Sequence, residues 1–533
     1  MADLHIQIDR GKGGIAGQIA SELRESIRGG RLTPGTRLPA TRDLAVDLQV
    51  SRGVVVEAYE QLVAEGFLVS RVGVGTQVTP KNGNRPGPGQ RALPPQSPGQ
   101  RALPPQGSGQ RAPSARNGGR PGSGQRGPFP HNSGRPAPGQ RDPATPARPS
   151  PVGQARQKPA SRRASGTAVG PPYYGHRPTS PDLGHFPRER WLAAVRHVLT
   201  TVPSGAFDYG DPGGVPELRE ELAAYLRRVR AADVRPENLI IVGGVAQGLS
   251  LVLHVLGRQR GLRLAVEDPT SHRQVPLLRR AGAHLVPVPV DGQGLDVRQL
   301  KGDAGDAVLV TPAHQYPTGV VLSPARRAAL MEWAYAGNRM ILEDDYDAEF
   351  RFDRDPVGCL QGLAPDRVVL SGSVSKALAP GLRLGWVAAP AALAEAIRRV
   401  RGEQDLGSPV IEQYALAHFL RTGGYDKHLR RMRREYRRRR DALVAALAAE
   451  LPGMRVRGIE AGLHVYLELP GGWDEARTVR AARELGLYVE AVGQMRESPG
   501  PPAVVVGFAR LPAHKAAEAV AGLKVRMSGQ IMN

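Results

Sequence analysis

The side chain best suited to covalent chemistry in this sequence is a lysine that lies close to hydroxyl groups and an arginine. Ser373, Ser375 and Lys376 follow the apolar run 368–370, which predicts a buried strand, and Arg383 comes seven residues after the lysine. A partly desolvated amine is nucleophilic at neutral pH, and hydroxyl and guanidinium groups are good donors to a phosphate ester. This spacing is typical of a Schiff-base lysine beside a phosphate site, and a solvated lysine on a surface loop is the alternative that spacing alone leaves open.

The whole segment 371–386 resembles the lysine motif of fold-type I pyridoxal 5'-phosphate (PLP) enzymes, the aminotransferase superfamily. Its continuation Lys-Ala-Leu-Ala-Pro-Gly-Leu-Arg is most similar to that of the MocR-type regulators, in which a GntR-type winged helix precedes an aminotransferase-like domain. The resemblance extends over residues 1–79 and about 170–533. It implies a PLP cofactor bound through Lys376.

The first 79 residues have the periodicity of three helices followed by a wing. Apolar residues spaced four apart predict a helix over 15–28, and further helices are predicted over 41–48 and from the N-cap Ser51 to Gly66. The glycine-interrupted stretch 67–79 predicts a two-stranded wing. This order predicts a winged helix-turn-helix.

The motifs in these elements resemble the GntR family over its full length: Leu-Pro-x-x-Arg-x-Leu-Ala, Val-Ser-Arg, Ala-Tyr-x-x-Leu-x-x-Glu-Gly and Gly-x-Gly-Thr. Helix N-termini attract phosphate, and the second helix of the motif enters the major groove. The resemblance implies that six residues lie against DNA: Thr41, Arg42, Ser51, Arg52, Gly53 and Gly75. The alternative for each arginine is a solvated surface charge.

Residues 80–170 have the composition of a disordered linker, rich in Pro, Gly, Gln and Arg. The octet Gly-Gln-Arg-Ala-Leu-Pro-Pro-Gln occurs at 89–96 and again at 99–106. Between 81 and 170 there are 15 Lys or Arg against one acidic residue, Asp142, so this segment holds 14 of the 22 net positive charges. The charge could add non-specific DNA contact, or the repeats could be an expansion without such a role.

Residues 171–533 alternate apolar runs with helical segments, which predicts a layered α/β domain with a largely parallel sheet. The predicted helices include 214–230, 245–257 and 323–337. Ligands of such a sheet gather at the carboxyl ends of its strands. The resemblance adds a smaller C-terminal subdomain.

The resemblance also assigns roles to an acidic segment at the end of the predicted strand 340–343. It implies that Asp344 pairs with the protonated pyridine nitrogen of PLP and that Tyr346 hydrogen-bonds the phenolic oxygen. A carboxylate holds the nitrogen in its cationic form, which the ring needs to act as an electron sink. An acidic cluster could instead bind a metal ion. The 13 His of the chain have no metal-ligand spacing, and we predict no metal site.

Further positions of the resemblance concern the phosphate, the partner subunit and the phenolic oxygen. We expect backbone amides of Val245 and Ala246, at a predicted helix start, to bind the phosphate together with Ser373, Ser375 and Arg383. The segment around Tyr209 reaches across a dimer, which implies a homodimer. Tyr316 stands where aminotransferases usually have Asn before Pro-Thr-Gly, and His-Gln-aromatic-Pro is the form found in MocR-type regulators. This difference favours a regulator over a metabolic enzyme.

Two other positions depart from the aminotransferase pattern. The segment 270–273, Thr-Ser-His-Arg, lacks the aromatic residue that stacks on the pyridine ring, which predicts weaker PLP binding. Val505 stands in the slot of the arginine that binds a substrate carboxylate, which argues against transamination of ordinary amino acids unless Arg273 or Arg510 replaces it. The basic run 430–440 is expected to be a solvated helix face with a packing role, with DNA contact as the alternative.

We therefore expect a transcriptional regulator that binds operator DNA and senses PLP or an amino compound through a Schiff base on Lys376. A true PLP-dependent aminotransferase with a DNA-binding appendage is the first alternative, and a DNA-binding module on a domain that has lost PLP is the second.

A single cysteine, Cys359, excludes a disulfide framework. No apolar run is long enough for a membrane span, and we expect a cytoplasmic protein.

Overall fold

The computed structural model describes residues 6–71, 75–79, 177–257, 261–300, 305–352 and 358–528. The predicted linker over 80–170 and the predicted start of the second domain at 171 lie outside the described residues. The two domains that are described belong to one compact unit. Within these ranges, no helix is both long enough and apolar enough to cross a membrane.

The N-terminal domain is a winged helix. It comprises helices α1 (Ile15–Arg28), α2 (Thr41–Asp47) and α3 (Arg52–Glu65) and the antiparallel strands β1 (Leu68–Arg71) and β2 (Gly75–Val78). Apolar residues at helical spacing form its core, in which Ile19, Leu23 and Leu62 are fully buried. Helix α3 is capped at its C-terminus by Gly66, whose φ of 88° lies in the left-handed region that favours glycine. The predicted three helices and wing are confirmed, and α2 ends one residue earlier than predicted.

The second domain contains the remaining helices and strands. In chain order they are α4 (Arg188–Thr201), α5 (Pro216–Arg230), β3 (Leu239–Val242), α6 (Val245–Gly257), β4 (Leu262–Asp268), α7 (Val275–Arg280), β5 (Ala283–Asp291), β6 (Gly294–Leu295), β7 (Ala307–Val310), α8 (Pro324–Ala336), β8 (Met340–Asp345), β9 (Val368–Ser373), β10 (Gly385–Ala388), α9 (Ala391–Gln404), α10 (Val410–Arg421), α11 (Gly424–Glu450), β11 (Arg455–Arg457), β12 (His464–Glu468), α12 (Glu475–Glu484), β13 (Val489–Ala491), β14 (Ala503–Gly507) and α13 (Ala516–Ser528).

The large sheet of this domain has, among the described residues, the strand order β3-β10-β9-β8-β7-β4-β5-β6. Its five central neighbours, from β9 to β5, run parallel. The predicted parallel sheet is therefore confirmed at its centre. Strand β10 differs, because it lies antiparallel between β3 and β9. Since parallel strands end at the same edge, the ends of β8 and β9 are brought side by side, with Asp344 paired to Ser371.

A smaller C-terminal subdomain follows, as predicted. Its antiparallel sheet has the order β11-β12-β14-β13 in the described part of the chain. Helix α12 packs on β13 and β14, and α13 packs on α11 and α12. This subdomain brings β12 and β13 towards the carboxyl edge of the large sheet, where both contribute side chains to the site described below.

The basic run 430–440 lies within α11 and has a packing function. Met432 and Tyr436 are buried in the core of the domain. Three arginines donate to backbone carbonyl oxygens of neighbouring segments: Arg433 to Glu349, Arg437 to Phe352 and Arg439 to Ala509. These contacts favour the packing role over DNA contact.

Candidate cofactor and DNA sites

Lys376 lies in the turn that follows β9. The strand is buried along its whole length, so the turn is held at the carboxyl edge of the sheet. The lysine is half-buried, and its Nζ donates to Thr179 Oγ1 at 3.1 Å. Desolvation by burial lowers the pKa of Lys376 to about 8, against the opposing attraction of Asp347. A larger fraction of the amine is therefore neutral, and nucleophilic, at physiological pH.

Asp344 lies at the end of the neighbouring strand β8 and is 5% exposed. Its Oδ2 accepts from Gln274 Nε2 at 2.8 Å, whereas its buried Oδ1 has no hydrogen-bond partner among the described residues. Burial raises the pKa of Asp344 to about 6, and the charge of Lys376 acts in the opposite direction. A buried carboxylate oxygen without a partner suits an N–H donor such as a pyridinium nitrogen.

Tyr346 is half-buried beside Asp344 and belongs to a set of polar side chains that includes the buried His314 and Asp347. Its hydroxyl lies 3.1 Å from His314 Nδ1, and the same nitrogen lies 2.9 Å from Asp347 Oδ2. Burial raises the pKa of Tyr346 well above its usual value, so the hydroxyl remains a donor. The set can therefore orient one hydroxyl towards an anionic oxygen of a ligand.

His464, on β12, completes a group that the sequence did not indicate. One ligand atom each from His314, Asp347 and His464 lies within 4.8 Å of the others. Such a group could hold a metal ion, whereas we predicted no metal site from the sequence. Two of its members already bond each other, since His314 Nδ1 engages the Asp347 carboxylate. Burial lowers the pKa of His464 well below its usual value, so its imidazole is neutral.

Tyr316 points towards the C-terminal subdomain. Its hydroxyl donates to Glu490 Oε2 at 3.3 Å, and Arg273 binds the other carboxylate oxygen of Glu490 at 2.5 Å. Tyr488 accepts from Arg273 at 3.0 Å. Glu490 lies on β13 and gave no signal in the sequence, because nothing local to that strand relates it to Tyr316.

Arg383, one of the predicted phosphate-binding residues, lies beside the start of α6. Arg383 donates to the carbonyl oxygen of Gly243, which precedes Val245 and Ala246 by two and three residues. Gly244 has a φ of 99°, and a Cβ there would lie 2.8 Å from the Arg383 guanidinium. A backbone this close to a cation at a helix N-terminus is suited to an anion.

The other residues predicted to contact the cofactor phosphate are Ser373, Ser375 and Tyr209. The backbone N–H of Ser375 donates to Ser373 Oγ at 3.4 Å in the turn before Lys376. Tyr209 is 84% exposed and has room to contact another molecule.

The structure describes the position of Val505 and of the two arginines that could replace the missing carboxylate-binding arginine. Val505 is fully buried in β14 and packs against Tyr466, so it has no polar function. Neither proposed substitute is a free guanidinium, because Arg273 is paired with Glu490 and Arg510 Nε donates to the carbonyl oxygen of Pro181.

The predicted DNA-binding residues lie at the N-termini of α2 and α3 and in the wing. Arg42, Ser51, Arg52, Gly53 and Gly75 are exposed, and Thr41 is half-buried. Arg52 Nε donates to Thr41 Oγ1 at 3.4 Å, which links the two helix starts. The structure thus brings five of the six residues into neighbouring helix starts and puts Gly75 at the beginning of β2.

Comparison with protein families agrees with this division. Residues 180–523 match the aminotransferase class I and II family, and residues 15–78 match the gntR family of bacterial regulatory proteins. The chain is 32% identical to the HTH-type pyridoxine biosynthesis transcriptional regulator PdxR of Corynebacterium glutamicum, over 90% of this chain and 88% of that protein. It is 29% identical to the probable rhizopine catabolism regulatory protein MocR of Rhizobium meliloti, over 92% and 89% of the two chains.

Solved structures similar to the second domain are aminotransferases. The multiple substrate aminotransferase of Thermococcus profundus matches with a TM-score of 0.62 and 25% sequence identity. The match covers 69% of this chain and 93% of that aminotransferase. The α-aminoadipate aminotransferase LysN of Thermus thermophilus, solved with N-(5'-phosphopyridoxyl)-L-leucine, has a TM-score of 0.60 and 26% identity, over 66% and 92%. The second domain thus has a fold that typically binds PLP, and the helix-turn-helix implies DNA binding. The chain belongs to the MocR-type subfamily of the GntR transcriptional regulators, with a winged helix joined to a fold-type I aminotransferase domain.

Proposed function

We propose that the aminotransferase-like domain binds PLP at Lys376 and that occupancy of this site controls the affinity of the winged helix for operator DNA. The observation that carries the proposal is the pairing of an amine of lowered pKa with a buried carboxylate oxygen that lacks a partner. Lys376 and Asp344 lie at the adjacent ends of β9 and β8. These are the two groups that a pyridoxal ring needs at its aldehyde and at its nitrogen.

PLP supplies an aldehyde that a lysine amine can capture and a ring that withdraws electrons when its nitrogen is protonated. The residues of this chain have four tasks around it. Lys376 supplies the neutral amine, Asp344 accepts the ring N–H, Tyr346 donates to the phenolic oxygen, and Arg383 neutralises phosphate charge at the α6 N-terminus. His314 contacts the Tyr346 hydroxyl and is itself held by Asp347.

PLP itself is the effector that these residues favour over an amino acid. The slot of the carboxylate-binding arginine is occupied by Val505, and the nearby Arg273 is paired with Glu490. A relative that is 32% identical is named as a regulator of pyridoxine biosynthesis, which agrees with a PLP effector. The same substitution at Val505 disfavours an aminotransferase activity on ordinary amino acids.

We also propose a homodimer that acts on double-stranded operator DNA in the cytoplasm. Tyr209 is 84% exposed and belongs to the segment that reaches the phosphate of the partner subunit in aminotransferases. Sedimentation of the full chain should therefore give twice the mass of one chain, and Tyr209→Ala should weaken PLP binding.

The test begins with PLP added to the purified full chain. Wild type should develop the long-wavelength absorbance band of a lysine Schiff base, and borohydride reduction followed by peptide mass analysis should place the pyridoxyl group on Lys376. Lys376→Ala should lack both signals, and Lys427→Ala, which replaces an exposed lysine, should keep them. A pyridoxyl group on any other lysine would refute the assignment.

The regulatory half of the proposal needs a DNA probe. Double-stranded sites selected from a random library by the full chain would be titrated with and without PLP, and with PLP plus a mixture of amino acids. A shift in DNA affinity with PLP alone supports PLP as effector, and a shift only after the amino acids are added identifies an amino compound. Equal affinity in all three conditions refutes sensing by this domain.

A further inference from the structure

Arg28, at the end of α1, is one of the residues through which the winged helix contacts the second domain. The guanidinium of Arg28 donates to the carbonyl oxygens of Ala231, of Ala232 at 3.5 Å and of Gly362 at 3.3 Å. It also lies 5.4 Å from the centre of the Phe67 ring. Three carbonyl acceptors from two segments give this contact a defined geometry.

Two further contacts surround the arginine. Leu363 packs against the hydrophobic core of the winged helix. Gly358 faces Glu65, the last residue of α3, so closely that a Cβ at Gly358 would lie 2.9 Å from the Glu65 carboxyl carbon. We call the surface formed by residues 231–232 and 358–363 the docking platform.

The charge of Glu65 is balanced within the winged helix. Arg24 binds both of its carboxylate oxygens at 2.9 Å, and both side chains are buried. Glu65 therefore meets the platform as a neutral pair, and contact at Gly358 depends on shape and not on an unpaired charge.

Both halves of the platform are held by strand β8. The Glu343 carboxylate accepts from the backbone N–H groups of Leu360 at 3.0 Å and Gln361 at 3.1 Å. Asp345 binds Arg230, the residue before Ala231, at 2.7 and 2.9 Å. The position of each half is thus fixed by one carboxylate of the same strand.

The residue between these two carboxylates is Asp344. Because successive side chains of a strand point to opposite faces, Glu343 and Asp345 lie on one face of β8 and Asp344 lies on the other. One short strand therefore carries the candidate PLP carboxylate on one face and both supports of the docking platform on the opposite face.

We propose that the docking platform is the surface through which the PLP site acts on the DNA-binding domain, and that PLP at Asp344 strengthens the docking of the winged helix. The proposal rests on the proposed function. The charge of Asp345 repels both of its neighbours, Glu343 and Asp344. A ligand cation at Asp344 removes part of that repulsion and fixes β8 in the position that supports the platform. Coupling of this kind is reciprocal, so a change that weakens the binding of the winged helix to the docking platform must also weaken PLP binding.

The reciprocity gives a test that needs no operator. PLP affinity of the full chain would be measured by absorbance titration in wild type, Arg28→Ala and Gly358→Ala. Arg28→Ala removes the donor from the winged-helix side, and Gly358→Ala inserts a methyl group against Glu65 from the platform side. Both should weaken PLP binding about fivefold or more, although neither residue belongs to the PLP site. Arg31→Ala, an exposed arginine of the same domain that contacts Ser26, should leave PLP affinity unchanged.

Hydrogen exchange of wild type provides a second measurement that requires no variant. Saturating PLP should slow amide exchange in residues 22–32 and 59–68, the ends of α1 and α3 that meet the platform. If wild type shows no PLP absorbance band, the proposed function fails. If PLP binds but exchange in these segments is unchanged, or if folded Arg28→Ala and Gly358→Ala bind PLP as tightly as Arg31→Ala, the coupling surface is refuted.

Discussion

Replacement of Lys376 by methionine should stabilise the protein when PLP is absent. Burial lowers the pKa of the amine from 10.5 to about 8, so at pH 7 the folded state holds a charge in an unfavourable place. That difference corresponds to about 3 kcal/mol. Loss of the hydrogen bond to Thr179 Oγ1 returns about 1 kcal/mol. The variant should therefore be more stable than wild type by about 2 kcal/mol at pH 7.

The pH dependence of this advantage has a defined sign. Between about pH 8 and 10.5 the unfolded chain binds the Lys376 proton more tightly than the folded chain, so the stability of wild type rises with pH across this window. The advantage of Lys376→Met should be constant below about pH 8 and absent near pH 10.5.

Thermal unfolding of the cofactor-free proteins would measure it, with an expected rise in Tm of about 3 °C at pH 7. Lys427→Met replaces an exposed lysine and should leave Tm unchanged. A Lys376→Met variant that is less stable than wild type at pH 7, or a difference that does not vary up to pH 10.5, would show that the amine is not desolvated.

Other outcomes follow from the same contacts. Burial raises the pKa of Asp344 to about 6, and only the ionised carboxylate pairs with a ring cation. PLP affinity should therefore rise with pH through this value in wild type and rise less in Asp344→Asn. Parallel pH profiles of the two proteins would contradict the pairing. Arg52→Ala should cost roughly 1–3 kcal/mol of affinity for selected DNA. Arg101→Ala in the predicted linker should chiefly lower, by about one, the slope of log affinity against log salt concentration. Equal losses of affinity in a gel-shift titration would contradict the groove assignment. Deletion of residues 99–108 should leave DNA affinity nearly unchanged, because a flexible tether of about 90 residues loses little reach when ten are removed. Abolished binding would show that the repeats make specific contacts.

The sequence was sufficient where a signal is local. Periodicity placed the helices of the winged helix within a residue, and apolar runs placed the central strands. The family resemblance assigned Lys376 and Asp344 to one cofactor, and their positions after buried runs agreed with this, because the carboxyl ends of parallel strands share one edge. The antiparallel direction of β10 could not be predicted, because strand direction depends on the connection and not on the local pattern of residues.

The sequence was insufficient where a contact joins distant segments. Glu490 reaches Tyr316 across 174 positions, and Arg28 reaches Gly362 across 334. His464 lies in a strand of the C-terminal subdomain and meets His314 only when that subdomain packs on the large sheet. None of these residues has a spacing in the sequence that distinguishes it from an ordinary buried or surface residue. For this reason the histidine spacing, from which we predicted no metal site, did not indicate that His314 and His464 lie together.

The acidic segment on β8 shows how burial separates a functional carboxylate from its structural neighbours. Its three carboxylates cannot all turn towards one ion, because alternate residues of the strand face opposite ways. Glu343 is compensated by two backbone N–H groups and Asp345 by the guanidinium of Arg230. Asp344 has a single amide donor and a buried oxygen that no described residue contacts. A carboxylate left this incompletely paired costs stability unless a ligand completes it, and this unmet requirement, more than the presence of an acidic cluster, supports the proposed role of Asp344 at the cofactor.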